Sequence, residues 1–333
     1  MRAVLLVEPG RAELVERPDP EPAAGEVVLE VRGCGVCGTD IHLLDGDLPY
    51  SPYPVVPGHE FYGEVVAVGA DVRGLSTGAL VAANPNIPCR RCVPCWRGRS
   101  NLCENYRAVG VTFDGAFADF VAVPAEQCFV LPDDLSLAAA VLIEPLSCVL
   151  HGVDRLPRNP GDRYLVYGAG AIGLLMARAL SGISDAPVDL VDINPDRLQL
   201  AQDLGMRVAT SADALDRPQG WDTVIDCTGS VAAISDALTH VSRGGALQLF
   251  GVAPETAAVA IKPFDIYRNE ISILGSMAVL DTFDRAVVQL AGWGKDLDQL
   301  VSHSYDLAEF DTAIDTFRSG TGTKVLVRSA AQA

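Results

Sequence analysis

The sequence predicts an α/β protein of two parts: a mostly-β domain and a doubly wound parallel-sheet domain. Three observations carry this. The 333 residues exceed what one hydrophobic core usually organises. As far as about residue 123 the chain reads as short strands broken by turns, with Pro18, Pro20, Pro22, Pro52, Pro54 and Pro57 as punctuation. Near residue 160 the pattern changes to alternating strands and helices, the mark of a parallel sheet with helices on its faces.

In the first part, residues 27–31 are a β-branched run and residues 61–68 alternate toward Gly69. In the second, residues 163–167 read as a strand, and Gly168 opens a helix to about residue 180. A strand at 188–191 leads to a helix at 195–204 with Pro195 at its first position, where an absent N–H is tolerated. Residues 223–227 are the next strand, followed by a helix from about Val231, and 246–250 and 271–274 are further strands. The tail from about Asp281 has helical stretches and a last strand at 324–327. It is too short to be a domain and is expected to pack back on the first part. No repeat or low-complexity segment interrupts the chain.

Composition bounds the function. Hydrophobic residues make up 49% of the chain, enough for a sizeable core, yet the longest apolar runs, such as 137–143, are far too short to span a bilayer. Met1-Arg2 is followed by only five apolar residues before Glu8-Pro9-Gly10, which reads as a strand and turn rather than a secretory segment. A formal charge of −18 argues against a nucleic-acid partner, because phosphate binding needs clustered Lys and Arg. Nine cysteines without an export signal imply a reducing, cytoplasmic setting. Cys34, Cys128, Cys148 and Cys227 stand in apolar surroundings and read as core residues.

The other cysteines are more telling. Cys89, Cys92, Cys95 and Cys103 form C-x2-C-x2-C-x7-C. Close Cys pairs on a tight loop can present four thiolates to one Zn2+. The resulting charge of −2 could be offset by Arg90, Arg91, Arg97 and Arg99 of the same loop. An iron–sulfur cluster is the other metal reading. A disulfide knot is disfavoured by the setting.

Gly168, Gly170 and Gly173 form G-x-G-x-x-G between a strand and a helix. In that context the first glycine allows the turn, the second lets a pyrophosphate approach, the third lets helix and strand pack, and the helix N-terminus attracts the phosphates. Ile172 and Gly173 are expected to touch the cofactor there. Asp192 ends the next strand nineteen residues after Gly173. Its carboxylate can accept hydrogen bonds from an adenosine ribose and would repel a 2′-phosphate, which favours NAD over NADP. Arg197, five residues on, is the counter-signal, since a guanidinium can meet a 2′-phosphate.

Cys37, in G-x-C-G-T-D-x-H, precedes Gly58-His59-Glu60 by about twenty residues. A thiolate, an imidazole and carboxylates with one open position suit a catalytic zinc. Together with the four-Cys lobe and the glycine turn, the chain resembles the zinc-dependent medium-chain dehydrogenases over nearly its full length, most of all their polyol (sorbitol-type) and threonine dehydrogenase branch. CGTDIH at 37–42, GHEFYGEVVAVG at 58–69 and EPLSCVLHG at 144–152 carry that likeness. Gly78-Ala79-Leu80-Val81 departs from it, lacking the charged pair usual before the zinc lobe.

The resemblance implies a GroES-like, mostly-β catalytic domain over 1–150 and 280–333 and a Rossmann cofactor domain over 151–279. It implies one structural and one catalytic zinc per chain, the latter held by Cys37, His59 and either Glu60 or Glu144, with the remaining glutamate reaching a zinc-bound water. Gly251, Val252, Ser276 and Met277 would lie under the nicotinamide half of the cofactor. Phe113 and Phe117 flank a loop that either lines the substrate cleft or packs in the core. A homodimer or homotetramer is expected.

The chemistry so implied is hydride transfer between NAD and a small alcohol or ketone, with a secondary hydroxyl of a polyol, sugar or cyclitol as the leading substrate. Thr39 would take the hydroxyl proton and His42 pass it to solvent. An L-threonine-type amino-alcohol dehydrogenase and a simple secondary alcohol dehydrogenase or ketone reductase are the rival enzymes. A protein that kept the fold but lost the chemistry would be expected to lack Cys37, His59, Glu60 or Glu144, and all four are present.

Overall fold

The computed structural model describes residues 1–48, 51–184 and 187–329. The chain divides into two compact units, Met1–Ser147 with Val279–Ala333, and Cys148–Ala278.

The first unit is organised by the strand Glu26–Gly35. It pairs antiparallel with Glu60–Val68, with Phe120–Pro124 and with the C-terminal strand Lys324–Arg328. Its period-two alternation buries Val27, Leu29 and Val31 in a core that also contains Val65, Val81, Phe117 and Phe310. Leu80–Ala83 and Cys128–Val130 extend the sheet on one side. The tail returns to this unit as expected: Leu326 pairs with Gly35 and Val327 with Cys34. Beyond it, the strand Val301–Asp306 runs parallel to Lys324–Arg328. VSHSYD has no apolar run to mark it as a strand, and none of its residues is fully buried. The helix Phe310–Ser319 covers this edge with Phe310, Ala313, Ile314 and Phe317, the i, i+3, i+4, i+7 stripe of an amphipathic helix.

The second unit is a six-stranded parallel sheet. Its strands lie in the order Arg207–Ala209, Asp189–Val191, Tyr164–Tyr167, Trp221–Asp226, Val241–Leu249 and Ser272–Gly275. In chain order this is 3-2-1-4-5-6, the doubly wound dinucleotide-binding arrangement. Arg207–Ala209 is a three-residue edge strand, too short to show a period in the sequence. Asp189 fastens that edge. Its buried carboxylate accepts from Arg207 Nε (2.5 Å) and Nη2 (2.7 Å), Arg217 Nε (3.2 Å) and Trp221 Nε1 (2.6 Å). No helix among the described residues is long and apolar enough to cross a membrane.

Candidate metal and cofactor sites

Cys37 directly precedes the helix Gly38–Asp45, and Glu60 opens the strand Glu60–Val68. Asp40 ties these two segments together. Its carboxylate accepts the Cys37 N–H (2.9 Å) through Oδ2 and the Gly58 N–H (3.2 Å) through Oδ1, and Oδ1 lies 3.6 Å from His59 Nδ1. Asp40 is fully buried, so its position is fixed by these partners. One ligand atom from each of Cys37, His59 and Glu60 falls within 4.8 Å of the others, the spacing of donors around one metal ion. Nδ1 is on the Asp40 side, at a distance longer than a hydrogen bond, which leaves Nε2 as the imidazole nitrogen open to a metal. Burial opposes a charge on His59, but Asp40 and then Cys37 outweigh it and raise its pKa well above the ordinary histidine value.

Lys324 completes this centre, and no sequence motif pointed to it. Its ammonium is buried, forms an ion pair with Glu60 Oε2 and donates to the Val36 carbonyl (3.3 Å). Burial works against the ammonium, but the charges of Glu60 and Cys37, and then Glu144, raise its pKa above the ordinary lysine value. Glu60 is thus held at Oε2 by an ammonium from another strand. Glu144 lies in the first turn of the helix Ile143–Asp154 and is buried. It is outside the three-residue donor cluster, although its charge reaches Lys324. Thr39 Oγ1 lies 3.9 Å from Cys37 Sγ, and His42 is three residues further on the same helix, one turn along the same face. His42 Nδ1 faces Asp47 Oδ2 at 3.4 Å. Phe117 is core: it is fully buried and stands edge-on to Phe310 at 5.0 Å. Phe113 sits under the Arg107 guanidinium, 4.7 Å from its ring centre.

The four-Cys lobe folds as Cys89, then the short helix Val93–Trp96 carrying Cys95, then Cys103 after the turn Ser100–Leu102. One sulfur from each of the four cysteines lies within 4.8 Å of the others, with Cys92–Cys95 at 3.4 Å and Cys92–Cys103 at 3.9 Å. A zinc with Zn–S of about 2.3 Å sets tetrahedral sulfurs about 3.8 Å apart, so the donor set fits that ion. The sulfurs are aimed by N–H donors: Cys89 N and Asn105 N both point at Cys103 Sγ, each at 3.3 Å. The Arg91 main-chain N–H is the largest influence lowering the Cys89 pKa, to about 6, while burial and then the Cys92 thiol push Cys95 up to about 12. Thiols crowded in this way cannot all ionise without a cation. The expected arginine offset is realised differently: Arg91 acts through its backbone, and Arg90 is 61% exposed and pairs with Glu126 at 3.0 Å.

In the second unit, the glycine turn joins the strand Tyr164–Tyr167 to the helix Ala171–Ser181. A Cβ on Gly173 would lie 1.7 Å from the Gly168 carbonyl oxygen, so the helix meets the turn only if this residue is glycine. Gly170 is the residue before the helix, and Ile172 stands in its first turn, partly buried. Asp192 accepts the Ala169 N–H (2.6 Å) and the Asn194 N–H (2.8 Å), which places its carboxylate beside the turn. Arg197 Nη1 lies 3.9 Å from where a Gly170 Cβ would be, so the guanidinium is beside the same turn. Gly251 and Val252 follow the strand Val241–Leu249, and Ser276 and Met277 follow Ser272–Gly275. All four stand at C-terminal strand ends, where dinucleotides bind in such sheets. Ser276 Oγ is buried with no hydrogen-bond partner among the described residues, and Val252 is well exposed.

Residues 23–133 match the alcohol dehydrogenase GroES-like domain, and residues 170–292 match the zinc-binding dehydrogenase domain. The chain is 37% identical to D-altritol 5-dehydrogenase of Agrobacterium fabrum, over 93% of this chain and 94% of that one. It is 33% identical to D-arabinitol dehydrogenase 1 of Uromyces fabae (98% and 97%) and 30% identical to L-threonine 3-dehydrogenase of Alteromonas mediterranea (94% and 95%). Among solved structures, a zinc-binding dehydrogenase from Sinorhizobium meliloti 1021 bound to NADP superimposes with a TM-score of 0.93 at 35% identity, covering 98% of both chains. An alcohol dehydrogenase from E. coli CFT073 complexed with NADH does so with a TM-score of 0.90 at 29% identity, covering 98% of this chain and 99% of that one. The chain belongs to the zinc-dependent medium-chain dehydrogenases, in their polyol and threonine dehydrogenase branch.

Proposed function

We propose that this protein is an NAD-dependent dehydrogenase that oxidises a secondary hydroxyl of a polyol, sugar or cyclitol, or reduces the matching ketone. The reading is carried by the Cys37–His59–Glu60 cluster, a three-donor site of the kind that leaves a metal one open position. When bound, zinc supplies a Lewis acid that acidifies the substrate hydroxyl, and the nicotinamide accepts the hydride. The chain's own residues do the rest. Asp40 fixes His59, Lys324 fixes Glu60, and Thr39 with His42 forms the proton path along one helix face. Glu144 is assigned to a zinc-bound water rather than to the metal itself, because it lies outside the donor cluster. The four-Cys lobe takes the second zinc.

NAD is favoured over NADP because Asp192 puts a carboxylate beside the glycine turn, where it repels a 2′-phosphate. The relatives named for altritol and arabinitol favour a polyol substrate. L-Threonine is the second reading, favoured by the full-length similarity to the Alteromonas enzyme. Initial rates with polyols, L-threonine and simple secondary alcohols, each with NAD and with NADP, separate these readings.

The clustered free thiols suit a reducing cytoplasm. A homodimer is supported by the sheet edge Ser272–Gly275. It has no further strand beside it among the described residues, and Ile273 on it is exposed, as are Phe264 and Tyr267 of the preceding helix. Sedimentation analysis of the wild type and an Ile273→Lys variant tests this: the variant should be monomeric.

A further inference from the structure

The geometry points to Asp226 as a positioning residue for the cofactor: its buried carboxylate holds residues 227–230 in the shape that seats the neighbouring turn at Gly251-Val252. This rests on the reading of the second unit as the nicotinamide-dinucleotide site.

Asp226 ends the strand Trp221–Asp226, immediately beside the strand that leads into the glycine turn. These two strands flank the point where the sheet order reverses, which is where such sheets take their ligands. The side chain is fully buried. Oδ1 accepts the Thr228 N–H (3.0 Å) and the Thr228 hydroxyl (2.5 Å), and Oδ2 accepts the Gly229 N–H (3.0 Å). The Asp226 main-chain carbonyl accepts from Phe250 N (3.0 Å) and Gly251 N (2.8 Å). One residue therefore shapes its own turn with its side chain and holds the next turn with its backbone.

The two turns then meet with no room to spare. A Cβ on Gly251 would lie 2.2 Å from Gly229 N, and one on Gly229 would lie 2.3 Å from Val252 O. Thr228 also touches the glycine turn, its methyl being 3.0 Å from where a Gly168 Cβ would stand. Its hydroxyl accepts the Ser230 N–H (3.0 Å) at the start of the helix Val231–Thr239.

A buried carboxylate met only by N–H and O–H donors is costly to desolvate. Asparagine would fill the same volume, but its NH2 would face one of the three donors. An acceptor-only group is what the converging donors require. Nothing in the metal chemistry uses Asp226, so its role lies in the shape of the cofactor site.

The test is NADH binding, followed by nicotinamide fluorescence, to zinc-loaded wild type, Asp226→Asn and Thr228→Val, with circular dichroism confirming that each is folded at the assay temperature. Asp226→Asn should weaken NADH binding about tenfold or more, as expected for loss of hydrogen bonds to a charged group. Thr228→Val, which removes one of the three donors and keeps the shape, should weaken it to a smaller extent. Zinc content should match wild type in both. In turnover, the KM for NAD should rise more than kcat falls. Wild-type affinity in the folded variants, with only a lowered melting temperature, would make Asp226 a merely structural residue and overturn the inference. If Asp226→Asn does not fold, unchanged binding by Thr228→Val overturns it. A wild type that binds no nicotinamide dinucleotide would instead overturn the cofactor reading, and this inference with it.

Discussion

Lys324 and Glu60, 264 residues apart in the sequence, form a buried ion pair at the metal cluster. The pair joins the C-terminal strand to the strand that carries a candidate metal donor, so the tail reaches the proposed metal site. The buried ammonium also stands near Cys37, Glu60 and Glu144, whose charges favour it. Removing one member of a buried pair leaves the other uncompensated, which costs about 3–5 kcal/mol. Lys324→Met should therefore be destabilised by about that amount in urea unfolding. The double variant Glu60→Gln with Lys324→Met should recover much of it. Equal loss in the single and double variants would mean that the pair is not coupled.

Thr39→Val should lower kcat about 100-fold or more while metal content stays at the wild-type level, the usual scale for removing a positioned proton-transfer group. Thr39 lies beside Cys37 without belonging to the donor cluster. Steady-state rates with metal analysis of the same preparation check this. Normal turnover would remove Thr39 from the proton path.

Cys95→Ser should drop the metal content from near two zinc ions per chain to near one and lower the melting temperature, with the Cys37 centre still loaded. The prediction follows from four mutually close sulfurs in a lobe separate from the Cys37 cluster. Metal content that stays near two would mean that the lobe is not a zinc site.

Asp119 accepts from the Arg2 main-chain N–H (2.6 Å), from Arg2 Nη2 (2.8 Å) and from Ser329 Oγ (2.7 Å), linking both ends of the described chain. Burial raises its pKa, but these donors outweigh burial and leave it below the ordinary aspartate value. A carboxyl whose pKa is lower when folded contributes stability above its unfolded pKa of about 4, and loses it as pH falls through the folded value. Asp119→Asn should lower the melting temperature at pH 7, and the difference from wild type should shrink below about pH 4. A difference that is constant across that range would show that the charge of Asp119 is not what stabilises the link.

The parts legible in the sequence are those whose partners are close along the chain. Cys89 to Cys103 and the glycines of the turn announce themselves by spacing, because metal and phosphate geometry demands fixed residue types at short intervals, whereas Cys37 with His59-Glu60 was legible only through the family resemblance. Lys324 had no such signal: it opens an ordinary strand, and its partner comes from the other end of the fold. Asp40 stood within a recognised motif, yet its hold on His59 depends on Gly58 reaching the helix. Asp226 stood inside the expected strand 223–227, with nothing to mark its side chain as more than buried sheet. Phe117 was open between cleft and core, and the contact with Phe310, on a helix of the C-terminal segment, settles it as core. The strand Val301–Asp306 was invisible because its partner, Lys324–Arg328, supplies the burial that its own sequence does not advertise.

The most direct test of the central claim is NAD reduction by the zinc-loaded protein across sorbitol, xylitol, altritol, arabinitol, inositols, L-threonine, butanediol and simple secondary alcohols. Turnover concentrated on polyols or cyclitols, with NAD preferred to NADP and abolished in Cys37→Ser, is the predicted result. Turnover confined to L-threonine or simple alcohols, or undiminished in Cys37→Ser, would contradict it.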